Sequence, residues 1–148
     1  MSLKENITAD MKQAMKAKDQ SRLTTIRMLQ AAIQRKEVDE RITLDDTQVM
    51  AVIEKLIKQS RDALSQFEQA SRQELADKEK ADIEVWQSYL PEQLGDAEIE
   101  KLVNDAISET GATSMKDMGK VMAVLKPKLQ GRADMGQVSA RIKAGLAG

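Results

Sequence analysis

The sequence predicts an all-α fold, in which an N-terminal helical hairpin or bundle with long third and fourth helices precedes a small C-terminal three-helix domain. Apolar residues recur three and four positions apart along the whole chain, which is the period of an amphipathic helix. Only seven Gly and two Pro interrupt its 148 residues. Runs rich in β-branched and aromatic residues, which are typical of strands, are absent.

Apolar residues spaced about four apart predict the first two helices. They are Leu3, Ile7, Met11 and Met15 in the first helix and Leu23, Ile26, Leu29 and Ile33 in the second. Asp19 is expected to cap the second helix, because its short side chain can accept hydrogen bonds from the exposed N–H groups of the first turn. The polar stretch Lys36–Ile42 is predicted to be a loop.

The third helix is predicted to be the longest, reaching roughly 36 Å at 1.5 Å per residue. Its apolar stripe consists of Val49, Val52, Ile53, Leu56, Ile57, Leu64 and Phe67. Thr43–Asp46 and Ser71–Glu74 resemble capping boxes that would start the third and fourth helices. The apolar residues of the fourth helix are Leu75, Ile83, Trp86 and Leu90. This helix is expected to end at Pro91, because the residue before a proline is pushed out of the α region.

A change to shorter helices after Pro91 predicts two domains, an N-terminal helical domain of residues 1–91 and a three-helix domain of residues 92–148. The apolar residues of the three shorter helices are Ile99, Leu102, Val103, Ala106, Ile107, Met118, Val121, Met122, Leu125, Leu129, Val138, Ile142 and Leu146. Gly111 is expected to end the first of these helices.

The last two helices have recognisable ends. Ser114 and Asp134 are expected to cap them, because their side-chain oxygens can accept hydrogen bonds from the first turn. Pro127 removes one backbone hydrogen bond of the sixth helix and is predicted to kink it or end it early. Gly131 is expected to follow the end of that helix.

The composition excludes most catalytic chemistry. The chain has no Cys and no His, so it has no thiol nucleophile, no Ser-His-Asp triad and no zinc site of imidazole or thiolate ligands. It lacks the glycine-rich phosphate loop that ends in Gly-Lys-Ser/Thr. The acidic residues around the Lys36–Ile42 loop do not have calcium-loop spacing and are interpreted as a solvated surface. We therefore expect no catalytic residue, no metal and no cofactor.

The apolar segments are short. None approaches the ~18 consecutive apolar residues of a membrane span. The N-terminus carries charged residues where a secretory signal needs an apolar region. We therefore expect a cytoplasmic protein without a membrane partner.

Charge is unevenly distributed along the chain, although 23 basic and 24 acidic residues nearly balance. Residues 1–36 carry a net charge of +5, residues 37–115 of −11 and residues 116–148 of +5. Basic ends of this kind can attract a polyanion locally. The candidate nucleic-acid-binding residues are Lys120, Lys126, Lys128, Arg132, Arg141 and Lys143 near the C-terminus and Lys16, Lys18, Arg22 and Arg27 near the N-terminus. A solvated basic surface is the alternative interpretation.

Several motifs along the chain resemble those of one family. They are Met11–Lys16, Arg22–Met28, Trp86–Leu94, Asp117–Met122 and Gly131–Asp134. Together they resemble a stand-alone protein of the YqeY family, and the last two also resemble the tail domain of GatB, the B subunit of tRNA-dependent amidotransferases. The resemblance implies recognition of the tRNA body. A carbon–nitrogen ligase activity with glutamine as amido donor would belong to parts of such enzymes that this chain does not resemble.

Two functions remain open. The first is a non-catalytic accessory protein that binds tRNA through backbone phosphates. The alternative is a protein-interaction adaptor without nucleic-acid binding, in which the third and fourth helices present an apolar groove to a partner helix. An enzyme that acts on its own is a third possibility that we do not expect.

Overall fold

Seven α-helices and no strand make up the part of the chain that the computed structural model describes, residues 2–147. The all-α fold predicted from the sequence is therefore confirmed. The helices are α1 (Leu3–Lys16), α2 (Gln20–Glu40), α3 (Asp46–Gln69), α4 (Gln73–Gln87), α5 (Asp96–Thr110), α6 (Met118–Leu129) and α7 (Met135–Ala147). A short 3₁₀ turn, Met115–Asp117, precedes α6. None of these helices is both long and apolar enough to cross a membrane.

Contacts within the chain divide it into two compact units. The N-terminal unit, Met1–Leu90, contains α1 to α4, and the C-terminal unit, Pro91–Gly148, contains α5 to α7. The division falls one residue before the predicted boundary. Each unit has a hydrophobic cluster of its own.

The core of the N-terminal unit combines Trp86 from α4 with aliphatic side chains from α1 to α3 and the turn before α3. The buried aliphatic residues are Ile7, Ala14, Leu23, Ile26, Leu29, Ile33, Leu44, Val49, Val52, Ile53 and Ile57. Trp86 is 1% exposed, and its indole Nε1 donates to the carbonyl of Thr25 at 3.1 Å. Because a buried indole N–H needs an acceptor, this hydrogen bond fixes where α4 packs on α2.

The second helix is longer than predicted. Lys36–Glu40, expected in a loop, belong to α2. No Gly or Pro interrupts the stretch, and polar composition alone does not stop a helix. Arg41 then turns the chain with a φ of 54°, and the N–H of Ile42 donates to the Glu37 carbonyl at 3.1 Å. The second longest helix is therefore α2, with 21 residues against 15 in α4, while α3 is the longest with 24.

The two capping boxes predicted for the N-terminal unit are wrong. The box expected from Thr43 forms two residues later, where Asp45 Oδ1 accepts from the N–H of Gln48 at 2.8 Å and the Gln48 side chain accepts from the N–H of Asp45 at 3.0 Å. Ser71 caps no helix, because it follows α3 with a φ of 58°, and α4 begins after Arg72 without a side-chain cap.

Three other predicted helix ends are confirmed. Asp19 caps α2 by accepting from the N–H of Arg22 at 3.1 Å. Gly111 ends α5 with a φ of 66°, a conformation that costs glycine little. Asp134 accepts from the N–H of Gly136 at 2.8 Å, in the first turn of α7.

The core of the C-terminal unit is aliphatic. Its buried residues are Ile99, Val103, Ala106, Val121, Leu125, Leu129, Ala133, Val138 and Ile142. Pro127 lies inside α6, which ends two residues later at Leu129. The helix thus stops within one turn of the proline, and Gly131 follows with a φ of 80°.

Candidate nucleic-acid interface

Four of the candidate lysines in the C-terminal unit are exposed to solvent. Lys120, Lys126 and Lys128 are on α6, and Lys143 is on α7. None of the four forms an ion pair with a carboxylate of residues 2–147. Their ammonium groups are therefore available to the phosphates of a ligand.

The three lysines of α6 do not share one side of the helix. Each residue of an α-helix turns the chain by about 100°, so Lys120 and Lys126 lie about 60° to either side of Ala123. Lys128 lies about 140° from Ala123, beyond Lys120 on the same flank and about 160° from Lys126. Helix geometry thus places Lys120 and Lys126 on the two flanks of Ala123 and puts Lys128 farthest around the helix from it.

Small residues separate Lys120 from Lys126. Gly119, Ala123 and Pro127 follow one another at intervals of four, and all three are exposed. A Cβ added to Gly119 would find no heavy atom within 4 Å, so packing inside the unit does not require a glycine there. We call these five residues the α6 face.

Asp117 orders the turn that leads into α6. Its carboxylate accepts from the N–H of Thr113 at 3.0 Å and from that of Ser114 at 3.4 Å. The hydrogen bond from Thr113 contributes most to holding the pKa of Asp117 below its ordinary value, and Ser114 and the charge of Lys120 act in the same direction. Asp117 is therefore ionised at neutral pH, at the start of the α6 face.

The two candidate arginines of the C-terminal unit are engaged within it. The Arg141 Nη2 lies 2.9 Å from Asp96 Oδ1, and Nη1 donates to the Asp96 carbonyl at 3.4 Å. The Arg132 Nε donates to the carbonyl of Glu92 at 3.3 Å. Both arginines are half-buried. Their guanidinium groups are consequently less available to a ligand than the lysines are.

These arginines belong to a set of contacts that holds residues 92–96, which we call the lead-in segment. The N–H of Leu94 donates to the Arg132 carbonyl at 2.9 Å, and Gln93 Nε2 donates to the Gly131 carbonyl at 2.6 Å. Two of the motifs noted in the sequence, Trp86–Leu94 and Gly131–Asp134, thus meet here. This role was not predicted from the sequence, because the contacts between the two motifs are made to backbone carbonyls, which leave no signal in the pattern of residue types.

The basic residues near the N-terminus form a second group, at the turn between α1 and α2. Lys16 ends α1, Lys18 lies in the turn with a φ of 57°, and Arg22 is in the first turn of α2. Arg27 lies about 140° around α2 from Arg22. All four are exposed, and none forms an ion pair within the described chain. The structure therefore gathers three of them at one corner and leaves Arg27 on another side.

A buried polar contact in the N-terminal unit was also missed. Thr25 and Asp82 are 3% and 4% exposed, and the Thr25 hydroxyl donates to Asp82 Oδ1 at 2.6 Å. Because both side chains are closed to a ligand, we interpret the contact as structural. Nowhere in residues 2–147 do three acidic side chains lie together in a way that could hold a metal ion.

A model of the Yqey-like protein family matches residues 4–146 of the chain. The chain belongs to the YqeY family. The resemblance of its motifs to this family is thereby confirmed. Its curated relatives include three fungal proteins named altered inheritance of mitochondria protein 41, mitochondrial.

These YqeY-family relatives align with most of the chain. The Pyrenophora tritici-repentis protein is 34% identical over 140 residues, which cover 93% of this chain and 77% of the relative. The Vanderwaltozyma polyspora protein is 36% identical over 117 residues, which cover 74% of this chain and 63% of the relative. The Lachancea thermotolerans protein is 36% identical over 107 residues, which cover 70% of this chain and 57% of the relative. The chain thus spans less than two thirds of the length of the last two.

The cytoplasmic location predicted from the sequence is wrong, because these relatives are named as mitochondrial proteins. The prediction rested on the lack of an apolar secretory segment. Mitochondrial targeting segments are instead amphipathic and rich in Arg and Ser. A search for apolar segments therefore does not test for that compartment.

Proposed function

We propose that this YqeY-family protein is a non-catalytic accessory protein that binds tRNA through backbone phosphates. The observation that carries the proposal is the α6 face, where exposed Lys120 and Lys126 flank a row of small residues. The motif Asp117–Met122, which contains the first part of this face, resembles the GatB tail. That resemblance supports tRNA as the nucleic acid.

The small residues of the α6 face favour close approach of a sugar–phosphate backbone. Gly119 and Ala123 project little or no side chain, so a lysine on either side can reach a phosphate without displacing other atoms. Such contacts give affinity without base specificity. The buried indole of Trp86 offers no stacking platform, which favours phosphate contacts over base stacking.

The distribution of charge within the C-terminal unit also supports the proposal. Residues 91–115 carry a net charge of −5 and residues 116–148 of +5. The unit is therefore nearly neutral in total but has a strongly basic part, which contains the α6 face. A local excess of positive charge of this kind attracts phosphates even when the whole protein is slightly acidic.

A titration of fluorescently labelled tRNA with the full chain, at several salt concentrations, tests the proposal. Lys120→Gln and Lys126→Gln should each weaken binding and lower the slope of log affinity against log salt by about 0.7–0.9. Lys128→Gln is the matched control, because it removes the same charge from the position on α6 that lies farthest around the helix from Ala123. No tRNA binding at low salt, or an equal effect of Lys128→Gln, contradicts the proposal.

A protein-interaction adaptor is the second candidate function, and a groove in the N-terminal unit favours it. The sequence suggested a groove on the third and fourth helices, but α3 and α4 pack extensively against each other. The open groove lies between α2 and α3 instead. An adaptor with no other role would show no salt-dependent binding in the tRNA titration.

A further inference from the structure

A groove of about 410 Å³ lies between α2 and α3. The apolar residues that line it are Ala32 from α2 and Ala51, Val52 and Leu56 from α3. The two alanines are small, so the helices leave space between them that longer side chains would fill. Met28 is 42% exposed and lies one turn before Ala32 on α2, where it extends the apolar surface beyond the groove.

Charged side chains form the rim of the groove. Arg35 and Lys36 from α2 and Lys55 from α3 are positive, and Asp39 and Glu40, at the end of α2, are negative. None of these five forms an ion pair within residues 2–147. A surface with an apolar centre and an unpaired polar rim has the anatomy of a protein-binding site.

The rim discriminates between classes of ligand. A nucleic acid would place phosphates near Asp39 and Glu40 and would leave the apolar floor unfilled. An amphipathic helix can bury its apolar face against the floor while its carboxylates meet the three basic residues of the rim. This complementarity favours a helical peptide segment over a polyanion.

A second copy of the chain does not fit this description. Its helices with more Asp and Glu than Lys and Arg are α3, α4 and α5. The buried apolar residues of α3, including Val49 and Ile53, pack into the core of the N-terminal unit. The apolar residues of α4, including Trp86, pack into the core of the N-terminal unit. Those of α5, including Ile99 and Val103, pack into the core of the C-terminal unit. The buried apolar face of each of these three helices is already used inside its own unit, so the ligand comes from another protein.

We propose that the groove between α2 and α3 binds an amphipathic helix of a partner protein, in which carboxylates flank the apolar face and a basic residue lies at one end. The carboxylates meet Arg35, Lys36 and Lys55, and the basic residue meets Asp39 and Glu40. This site is in the N-terminal unit and does not depend on tRNA binding by the α6 face.

A phage-displayed library of amphipathic helical peptides tests the proposal on the full chain. The library keeps one apolar stripe and randomises the flanking positions among Glu, Gln and Lys. Selection should enrich Glu at the flanks. The double variant Lys36→Glu/Lys55→Glu should shift that preference to Lys. The matched control Lys58→Glu, on the same helix but outside the groove, should keep the preference for Glu.

A blocked groove provides the second readout. Ala51→Trp or Ala32→Phe should fill the groove and abolish enrichment, and circular dichroism shows whether each variant keeps its helices. The proposal is overturned by no enrichment on the unchanged chain, by a Glu preference that survives in the double variant, or by equal selection on a folded blocked variant. Displacement of the selected peptides by tRNA also overturns it, because the groove would then be a polyanion site.

Discussion

The hydroxyl of Thr25 lies 2.6 Å from the carboxylate oxygen Oδ1 of Asp82 in the interior of the N-terminal unit. The two residues belong to α2 and α4 and are 57 positions apart in the sequence. The carbonyl of Thr25 also accepts the indole N–H of Trp86 at 3.1 Å. Thr25 therefore attaches α4 to α2 through both its side chain and its backbone.

Thr25→Val should lower the free energy of unfolding by about 1–3 kcal/mol, because it leaves the buried carboxylate of Asp82 without its hydroxyl donor. Urea unfolding followed by circular dichroism measures the change. Thr24→Val is the control on the same helix. Its side chain is exposed and donates only to the Gln20 carbonyl, so we expect a change within about 0.5 kcal/mol. Equal losses in the two variants would show that the buried contact contributes nothing special.

Arg132→Ala should loosen the lead-in segment without changing the salt dependence of tRNA binding. The guanidinium donates to the Glu92 carbonyl, next to the hydrogen bond between the N–H of Leu94 and the Arg132 carbonyl. Amide hydrogen exchange at Leu94 should therefore become faster. A fall in the salt slope like that expected for Lys126→Gln would instead make Arg132 a phosphate ligand.

Acid should weaken the attachment of α1 to α2. The Glu37 carboxylate accepts from Lys4 Nζ at 2.6 Å and from the N–H of Leu44 at 2.8 Å. Lys4 contributes most to lowering the pKa of Glu37 from its ordinary value of 4.5. Because the pKa is lower in the folded state, these contacts stabilise the fold fully above the ordinary pKa of 4.5. The stabilisation is lost as the pH falls from there through the lower pKa of the folded state.

The measurement for Glu37 is the midpoint of urea unfolding as a function of pH. Glu37→Gln should lower the midpoint at neutral pH and should flatten its decline below pH 4.5. Glu40→Gln, which removes an exposed carboxylate without an ion pair from the same helix, serves as the control. Parallel curves for Glu37→Gln and the unchanged chain would refute the assignment.

Replacement of two glycines by alanine should change the free energy of unfolding in opposite directions. Gly119→Ala should raise the free energy of unfolding by about 0.4–1 kcal/mol, because the added Cβ enters open space and the unfolded chain loses freedom. Gly111→Ala should lower it by about 1 kcal/mol, because its φ is 66°. Thermal unfolding ranks the two variants.

Gly119 also provides a test of tRNA binding by the α6 face. Gly119→Leu should fold, since no neighbour is near, yet it should weaken tRNA binding by obstructing close approach. Unchanged tRNA affinity in a folded Gly119→Leu variant would remove the reason for a glycine at this face.

Helix positions could be predicted from the sequence because apolar spacing and local caps are local properties. Asp19 and Gly111 act within one turn of their own helices, so their roles are visible in the sequence. The loop predicted at Lys36–Ile42 is wrong over Lys36–Glu40, because polar residues without Gly or Pro continue a helix as readily as they form a loop. The helix cap predicted at Ser71 is wrong because the backbone of Ser71 is left-handed, which a capping motif in the sequence does not reveal.

The candidate site was only partly accessible from the sequence. The separation of Lys126 and Lys128 around α6 follows from their spacing of two and could have been recognised once the helix was placed. The partners of Arg132 and Arg141 could not be predicted from the sequence. Both arginines contact residues 92–96, roughly 40 positions away, only after the unit has packed.

The lead-in segment determines where the C-terminal unit can be cut from the protein. A fragment that begins at Pro91 keeps every donor and acceptor of the segment, whereas one that begins at Asp96 lacks the amide of Gln93 and the N–H of Leu94. The shorter fragment would leave two carbonyls of the α6–α7 turn to water. Cleavage just before α5 would therefore remove these contacts while leaving all three helices of the unit in one fragment.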